Sequence, residues 1–323
     1  MTTPPTTGTL RVPGATLHYE TRGQGPALLL IPGGTGAASA FDGVADLLAA
    51  DHTVIAYDPR GFSRSPLDAP ATDQQVAVHA DDAYRLLEHL SPTSPAKVFG
   101  SSSGAIVALH LLTTHPDRVT QVIAHEPPLV ELLPDAPVHR AFLQNLRDTY
   151  DTQGLQPAMT VFATGLSRPA PGSTATPTRP TPKATAAPTD PTLETTAAQA
   201  RLTPEPTAAQ ARPTPATREA QQPPTLSPEA AARIERTMSN MPFFLRRIVP
   251  TFMSYTPDLD RLAALSDRLT LAAGEDSPGE LTYRPAAWLA AHLGTDLLHF
   301  PGGHVGLTTH PTEFATLLHK TLT

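Results

Sequence analysis

Residues 96 to 112 form a pattern that few folds accommodate: a short β-prone run, a serine cluster between two glycines, and an apolar segment of helical length. The cluster, Gly100-Ser101-Ser102-Ser103-Gly104, fits the spacing G-x-S-x-G, whose middle serine lies on a sharp turn between a strand and a helix. An isolated pentapeptide of this kind could equally be a polar loop, but the strand before it and the helix after it favour the tight turn. Ser102 is therefore a candidate nucleophile.

The residues beside Ser102 give the turn its chemistry. Gly100 and Gly104 have no Cβ that would strike the neighbouring strand and helix. The first N–H groups of a helix are unpaired, so the N–H of Ser103 can donate to negative charge that develops on a substrate oxygen. Ser101 precedes the nucleophile and is a predicted substrate contact.

Apolar runs of strand length alternate with segments of helical periodicity along most of the chain. Strands are predicted at 10–19 (as a hairpin), 26–31, 53–57, 119–124, 269–273 and 296–300, and helices at 41–48, 74–90, 284–293 and 312–322. This alternation predicts an α/β protein with a doubly wound, mostly parallel sheet, whose sites lie at the carboxyl ends of its strands. Ser102 falls at such an end.

The alternation stops between residues 127 and about 260. Four helices are predicted there, at 136–149, 155–164, 228–239 and 241–253. We interpret residues 127–257 as a helical lid inserted into a core made of residues 1–126 and 258–323. Within the lid, residues 167–228 are rich in Pro, Thr and Ala, a composition that buries too little apolar surface to offset the entropy of ordering, so we expect this segment to be disordered.

A serine nucleophile needs a base within hydrogen-bond reach. Most histidines of the chain lie in predicted helices or the hairpin, whereas His304 lies in a glycine-rich loop directly after the last strand, at the edge of the sheet expected for Ser102. His310, six residues later and before a proline, is the weaker competitor. His304 is therefore the predicted base.

The base in turn needs a carboxylate that holds its tautomer. Asp276, just beyond the predicted strand 269–273, is the first choice. Its neighbour Glu275 and the more distant Glu126, at the end of strand 119–124, are the alternatives. Any of the three could instead be solvated or cap a helix, so the acid remains open.

A second donor to the substrate oxygen should come from the loop after strand 26–31, which contains Gly33 and Gly34. The N–H of Gly34 is the candidate donor, and Gly33 is a predicted substrate contact. The alternative is a tight turn that needs glycine only for its backbone angles. A phosphate cradle would need the P-loop spacing with its lysine, which the chain lacks.

Together these motifs resemble the α/β-hydrolase superfamily. The chain order of Ser102, an acid and His304 matches, and the loop after strand 53–57 and the Gly33-Gly34 loop occupy the family's positions. Pro32 stands where the family usually has histidine, and the Pro/Thr/Ala segment has no family counterpart. The resemblance implies a Ser-His-acid hydrolase that works through an acyl-enzyme without metal or organic cofactor, on an ester, thioester or lactone.

The predicted lid supplies apolar side chains that could face a substrate. Met241, Phe243 and Phe244 are the predicted contacts, which favours a small apolar or aromatic substrate. Two other enzymatic outcomes stay open on the same three residues: C–C bond hydrolysis and a cofactor-free haloperoxidase-like activity. A catalytically idle, ligand-binding member of the fold is the alternative from a different class.

Composition narrows the partners and the compartment. The formal net charge of −7 at pH 7 disfavours nucleic acid, and the absence of cysteine excludes a thiol nucleophile. No basic-then-apolar leader opens the chain, and no apolar run approaches the ~18 residues of a membrane span. We expect a cytoplasmic protein, monomer or homodimer, that meets a small-molecule substrate and neither nucleic acid nor membrane.

Overall fold

A computed structural model describes residues 4–91, 93–166 and 228–323. Apart from Pro228, the segment predicted to be disordered lies outside these residues. The strands are β1 (Thr6–Val12), β2 (Ala15–Arg22), β3 (Ala27–Ile31), β4 (Thr53–Tyr57), β5 (Ala96–Ser101), β6 (Val119–His125), β7 (Leu269–Gly274) and β8 (Leu297–Phe300). They form one sheet in the order β1-β2-β4-β3-β5-β6-β7-β8.

The sheet is parallel except at one edge. β1 pairs antiparallel with β2, β2 pairs antiparallel with β4, and the remaining neighbours are parallel. The predicted hairpin and the predicted doubly wound, mostly parallel sheet are thus confirmed. Because β3, β5, β6 and β7 are consecutive in the sheet and mutually parallel, their carboxyl ends lie at the same edge of the sheet.

Eleven α-helices are present in the described part of the chain. They are α1 (Asp42–Leu48), α2 (Val76–Leu90), α3 (Ser103–Thr114), α4 (Ala136–Gln153), α5 (Leu155–Leu166), α6 (Pro228–Phe243), α7 (Val249–Phe252), α8 (Leu259–Ala264), α9 (Tyr283–Leu293), α10 (Gly306–Thr309) and α11 (Pro311–Leu322). A π-helical stretch, Phe244–Ile248, joins α6 to α7. Helices α4 to α8 all lie between β6 and β7 in the chain. Helices α4 to α7 fall within the predicted insertion, residues 127–257, and α8 follows it.

The central strands are apolar on both faces because helices cover both. On β3, Leu28 and Leu30 pack with α1 and α11 on one face, whereas Leu29 and Ile31 pack with α2 and α3 on the other. A strand buried on both sides reads as a continuous apolar run rather than an alternating one. The sequence therefore predicts β3 and β4 correctly from their continuous apolar runs.

No helix in the described ranges is long and apolar enough to cross a membrane.

Candidate active site

Ser102 occupies a strained turn between β5 and α3. Its backbone has φ +54° and ψ −122°, in the region that L-residues rarely adopt. A Cβ on Gly100 would overlap the backbone of Gly104, and a Cβ on Gly104 would overlap the carbonyl oxygens at the end of β3. The glycines are therefore required by close packing, as the sequence predicted, and Ser102 projects into a cavity.

The turn is held to the neighbouring strand by a backbone hydrogen bond. The N–H of Ser102 donates to the carbonyl oxygen of His125, the last residue of β6, at 2.8 Å. Strand β6 lies next to β5 in the sheet, so its end is fixed directly beside the serine. The residue that follows His125 is Glu126.

Glu126 is the carboxylate that pairs with His304. Nδ1 of His304, in the loop after β8, lies 2.6 Å from Oε2 of Glu126. His304 lines the same cavity as Ser102, while Glu126 is fully buried beneath it. The histidine is thus held from one side, and its other ring nitrogen remains available to the cavity.

Two further donors fix the Glu126 carboxylate. The N–H of Gly274, at the end of β7, donates to Oε1 at 2.9 Å, and the hydroxyl of Thr282 donates to Oε2 at 2.9 Å. Burial favours the neutral acid, but the hydrogen bond and charge of His304, the charge of His125 and the Gly274 N–H together outweigh it and lower the pKa of Glu126 to about 2. An ionised carboxylate can only accept, so Nδ1 of His304 carries the proton.

The expectation that Asp276 orients His304 is corrected by this geometry, and so is the alternative Glu275. The backbone N–H groups of Glu275 and Asp276 donate to carbonyl oxygens of Phe300 and Gly302, in β8 and its following loop, and both side chains are exposed. The chain after β7 therefore runs along the neighbouring loop and directs these carboxylates to solvent. The third candidate, Glu126, is the one that reaches His304.

His310, the competing base, is exposed, and its Nδ1 lies 2.9 Å from the hydroxyl of Thr309. The described cavity lining includes His304 and omits His310.

The glycine loop after β3 lies against the serine turn. A Cβ on Gly33 would overlap the carbonyl oxygen of Ser101 and approach the Cβ of Ser102 to 2.7 Å. The next residue, Gly34, has φ +58°, and its N–H donates to the hydroxyl of Ser103 at 3.1 Å. Close approach to the serine turn therefore explains the glycine at position 33, whereas Gly34 has open space around it and is explained by its positive φ.

The cavity above Ser102 has a volume of about 790 Å³. Its floor includes Gly33, Gly34 and Ser101, and its opposite wall comes from α5, α6, the π-helical stretch and α7. Among the described residues, its lining contains no Asp, Glu, Lys or Arg. Within the same described residues, no group of three or more His, Asp or Glu is placed to hold a metal ion.

Of the predicted apolar contacts, Met241 and Phe244 line the cavity. Phe243 does not: its ring packs edge-on against Phe62 at 5.1 Å and lies over Gly61. The expectation that Phe243 contacts substrate is therefore corrected. Phe243 instead fixes the end of α6 to the loop after β4.

Asn240 is a buried residue of the site region that sequence reasoning missed. Its Nδ2 donates to the carbonyl oxygen of Thr35 at 3.0 Å and to the hydroxyl of Ser63 at 2.9 Å, and its Oδ1 accepts from the N–H of Ser63 at 2.8 Å. One side chain thus ties α6 both to the glycine loop and to the loop after β4. A single polar residue in an amphipathic helix carries no sequence signal for such a role.

A sheet with a sharp serine turn, a buried carboxylate–histidine pair and a glycine loop at the carboxyl ends of its strands defines the chain as a hydrolase of the α/β class. The family model for the alpha/beta hydrolase fold matches residues 26–226, and the chain belongs to that family. The uncharacterized hydrolase YraK of Bacillus subtilis (strain 168) is 33% identical over 321 residues, which cover 98% of this chain and 95% of the relative.

Two other proteins are similar to this chain, one in sequence and one in fold. A protein named zearalenone hydrolase from Cladophialophora bantiana is 31% identical over 189 residues, covering 51% of this chain and 71% of the relative. The structure of a thermophilic esterase from Thermogutta terrifontis superposes with a TM-score of 0.63 at 18% identity, covering 99% of this chain and 98% of the esterase. At that identity, the superposition shows the shared fold alone.

Proposed function

We propose that this hydrolase is a cofactor-independent serine enzyme that cleaves an ester, thioester or lactone through an acyl-enzyme. The observation that carries the proposal is the pairing of His304 with the ionised, buried Glu126 at the cavity that Ser102 enters. A histidine whose Nδ1–H is held by a carboxylate presents a basic Nε2. That nitrogen is what a serine hydroxyl needs in order to become a nucleophile.

In the proposed first step, Ser102 Oγ bonds to the substrate carbonyl carbon while its proton passes to Nε2 of His304. The electron pair of the carbonyl double bond moves to oxygen, and the N–H of Ser103 donates to that oxygen from the start of α3. The imidazolium then gives its proton to the leaving group, which departs and leaves the acyl group on Ser102. In the second half, His304 takes a proton from water while the water oxygen bonds to the acyl carbon. The bond from that carbon to Ser102 Oγ then breaks, the imidazolium returns the proton to Oγ, and the acid is released.

The lining of the cavity supports an uncharged, apolar or aromatic substrate. Phe162 on α5, Met241 on α6, and Phe244 and Phe252 beyond it present aromatic and thioether surface, and the described lining has no charged group to bind a carboxylate, phosphate or amine. In this proposal helices α4 to α7 act as the lid over the cavity. Zearalenone is one test compound, because a relative is named for its hydrolysis.

The experiment that tests the nucleophile is intact-mass spectrometry after treatment with a fluorophosphonate. The wild-type protein should gain one adduct, located on Ser102 by peptide mapping. Ser102→Ala should gain none, His304→Ala should react far more slowly, and Ser239→Ala, an exposed serine on α6, should react like wild type. A folded wild-type protein that gains no adduct would refute the serine mechanism.

Turnover of uncharged p-nitrophenyl esters, measured on the same four proteins, tests the reaction class. We expect hydrolysis by wild type and Ser239→Ala only. Uncharged thioesters and lactones complete the panel. Labelling of Ser102 without turnover of any compound in it would contradict the proposed substrate class but would leave the activated serine in place.

A further inference from the structure

The hydroxyl of Ser103 stands between the glycine loop and the cavity. It accepts a hydrogen bond from the N–H of Gly34 at 3.1 Å, and both residues line the cavity beside Ser102. The donor expected from the glycine loop is therefore already directed at a side chain. Any substrate oxygen that approaches this corner meets the Ser103 hydroxyl together with the Gly34 N–H.

A serine hydroxyl that accepts one hydrogen bond still has its own hydrogen to donate. Among the described residues, no acceptor takes the hydrogen of Ser103 Oγ, since its recorded bond is the one it receives from Gly34. Donation by the Gly34 N–H polarises the O–H bond and makes the hydroxyl a better donor. Ser103 lines both the cavity beside Ser102 and a much smaller one of about 10 Å³, and of the two the first has room for a substrate oxygen that could accept that hydrogen.

We propose that Ser103 is a catalytic residue that supplies two donors to the oxyanion, its backbone N–H and its Oγ–H, with the Gly34 N–H polarising the hydroxyl from behind. This role rests on the proposed serine mechanism. When the carbonyl electron pair moves to oxygen, the Ser103 hydroxyl donates a hydrogen bond to it and keeps its proton. The proton of Ser102 still passes to His304, and no proton leaves Ser103.

A hydroxyl suits this position because it rotates about Cβ–Oγ. The substrate oxygen moves as the planar carbonyl becomes tetrahedral, and a rotating donor can follow it while a backbone N–H is fixed by the chain. The assignment also explains the Gly34–Ser103 hydrogen bond, which would otherwise occupy the donor that the glycine loop supplies. Stabilisation by Ser103 would then be larger in the transition state than with bound substrate.

The test is Ser103→Ala, compared with Ser103→Thr and with the exposed Ser239→Ala. We expect Ser103→Ala to lower kcat on a p-nitrophenyl ester roughly 10²- to 10³-fold, the effect of losing one oxyanion donor, with KM changed less than about twofold. Ser103→Thr, which keeps a hydroxyl, should recover most of kcat. A trifluoromethyl ketone, which forms a tetrahedral adduct with Ser102, should bind Ser103→Ala more weakly by a factor that matches the loss in kcat.

Three results would overturn the assignment. An unchanged kcat in Ser103→Ala would mean that the freed Gly34 N–H serves directly, and an increased kcat would mean that the hydroxyl obstructs that donor. Equal losses in kcat for Ser103→Ala and Ser103→Thr would indicate a packing effect. If wild type shows neither fluorophosphonate labelling nor turnover, the serine mechanism fails and the role of Ser103 fails with it. If wild type is labelled and active but one of the three results above is found, the Ser103 assignment alone fails.

Discussion

Glu126 and His304 meet across a strand that lies between their own. Glu126 follows β6, His304 lies in the loop after β8, and their side chains approach to 2.6 Å at the end of β7. The Gly274 N–H, at the end of that middle strand, donates to the other carboxylate oxygen. The carboxylate therefore spans β7 and uses its terminal amide as a support.

Replacement of Glu126 should lower kcat far more than replacement of Asp276, the carboxylate first expected to orient His304. Glu126→Gln keeps the shape but loses the charge that fixes the histidine tautomer, so kcat on an uncharged ester should fall about 10²- to 10⁴-fold. The matched change Asp276→Asn, at an exposed carboxylate, should leave kcat within about twofold. Steady-state kinetics on folded variants measure both effects. Comparable losses of kcat in the two variants would contradict the assignment of Glu126 as the residue that orients His304.

The backbone strain at Ser102 predicts that Ser102→Gly increases the free energy of unfolding. Ser102→Gly relieves a backbone cost of about 1–3 kcal/mol, offset in part by the greater freedom of glycine in the unfolded chain. We expect the free energy of unfolding to rise by about 1 kcal/mol in urea titrations. Ser102→Ala abolishes activity equally but keeps the strain, so its stability should remain near that of wild type. A destabilised Ser102→Gly would contradict the strain argument.

Phe243 and Phe244 should behave differently although they are adjacent. Phe244→Ala opens the cavity wall and should shift the preference among p-nitrophenyl esters toward bulkier acyl groups. Phe243→Ala removes the contact with Phe62 and should cost about 2 kcal/mol of stability, less than a fully buried phenylalanine. Its acyl preference should stay that of wild type. A change of selectivity in Phe243→Ala would place its ring in the substrate path after all.

His125 gives the stability of the protein a dependence on pH. Its ring contacts the rings of Phe300 and Phe314 edge-on, and neither nitrogen has a hydrogen-bond partner among the described residues. Burial lowers the pKa of His125 to about 4. Between about pH 6.5, its ordinary pKa, and pH 4, the unfolded chain binds a proton here that the folded protein does not. Stability should therefore fall as pH falls through this window, by up to about 1.4 kcal/mol per pH unit for this group.

His125→Leu should flatten that slope, measured by urea unfolding at several pH values between 4 and 7. His292→Gln, at an exposed histidine on α9, is the control and should keep the wild-type slope. His79, also buried and with a pKa lowered by burial to about 3, should leave a residual slope of the same sign. Identical slopes in His125→Leu and wild type would exclude His125 as its source.

Much of the architecture could be predicted because strands buried on both faces appear in the sequence as continuous apolar runs. The apolar run at β3, the turn at Ser102 and the loop of His304 each depend on neighbouring residues in the chain. The identity of the acid that pairs with His304 does not depend on neighbouring residues, since carboxylates follow both β6 and β7 in the chain. The choice depends on how the chain leaves β7, where backbone bonds to the loop after β8 turn Asp276 outward.

The directions of Phe243 and Phe244 were beyond sequence reasoning for a similar reason. They stand where α6 passes into a π-helical stretch, which adds residues to the turn and changes the facing of successive side chains. Helical periodicity read through this point gives the wrong face for one of the pair. Asn240 was missed because its partners, Thr35 and Ser63, are distant in the chain.

The hydrogen bonds of Asn240 bear on any attempt to exchange α5 and α6 for helices of a relative. A transplanted helix would bring new cavity-lining side chains, but without an asparagine at this register it would also release the carbonyl of Thr35, next to Gly34. The chimera would then lose rate as well as change substrate preference. A graft that carries Asn240 with it keeps the two properties separable.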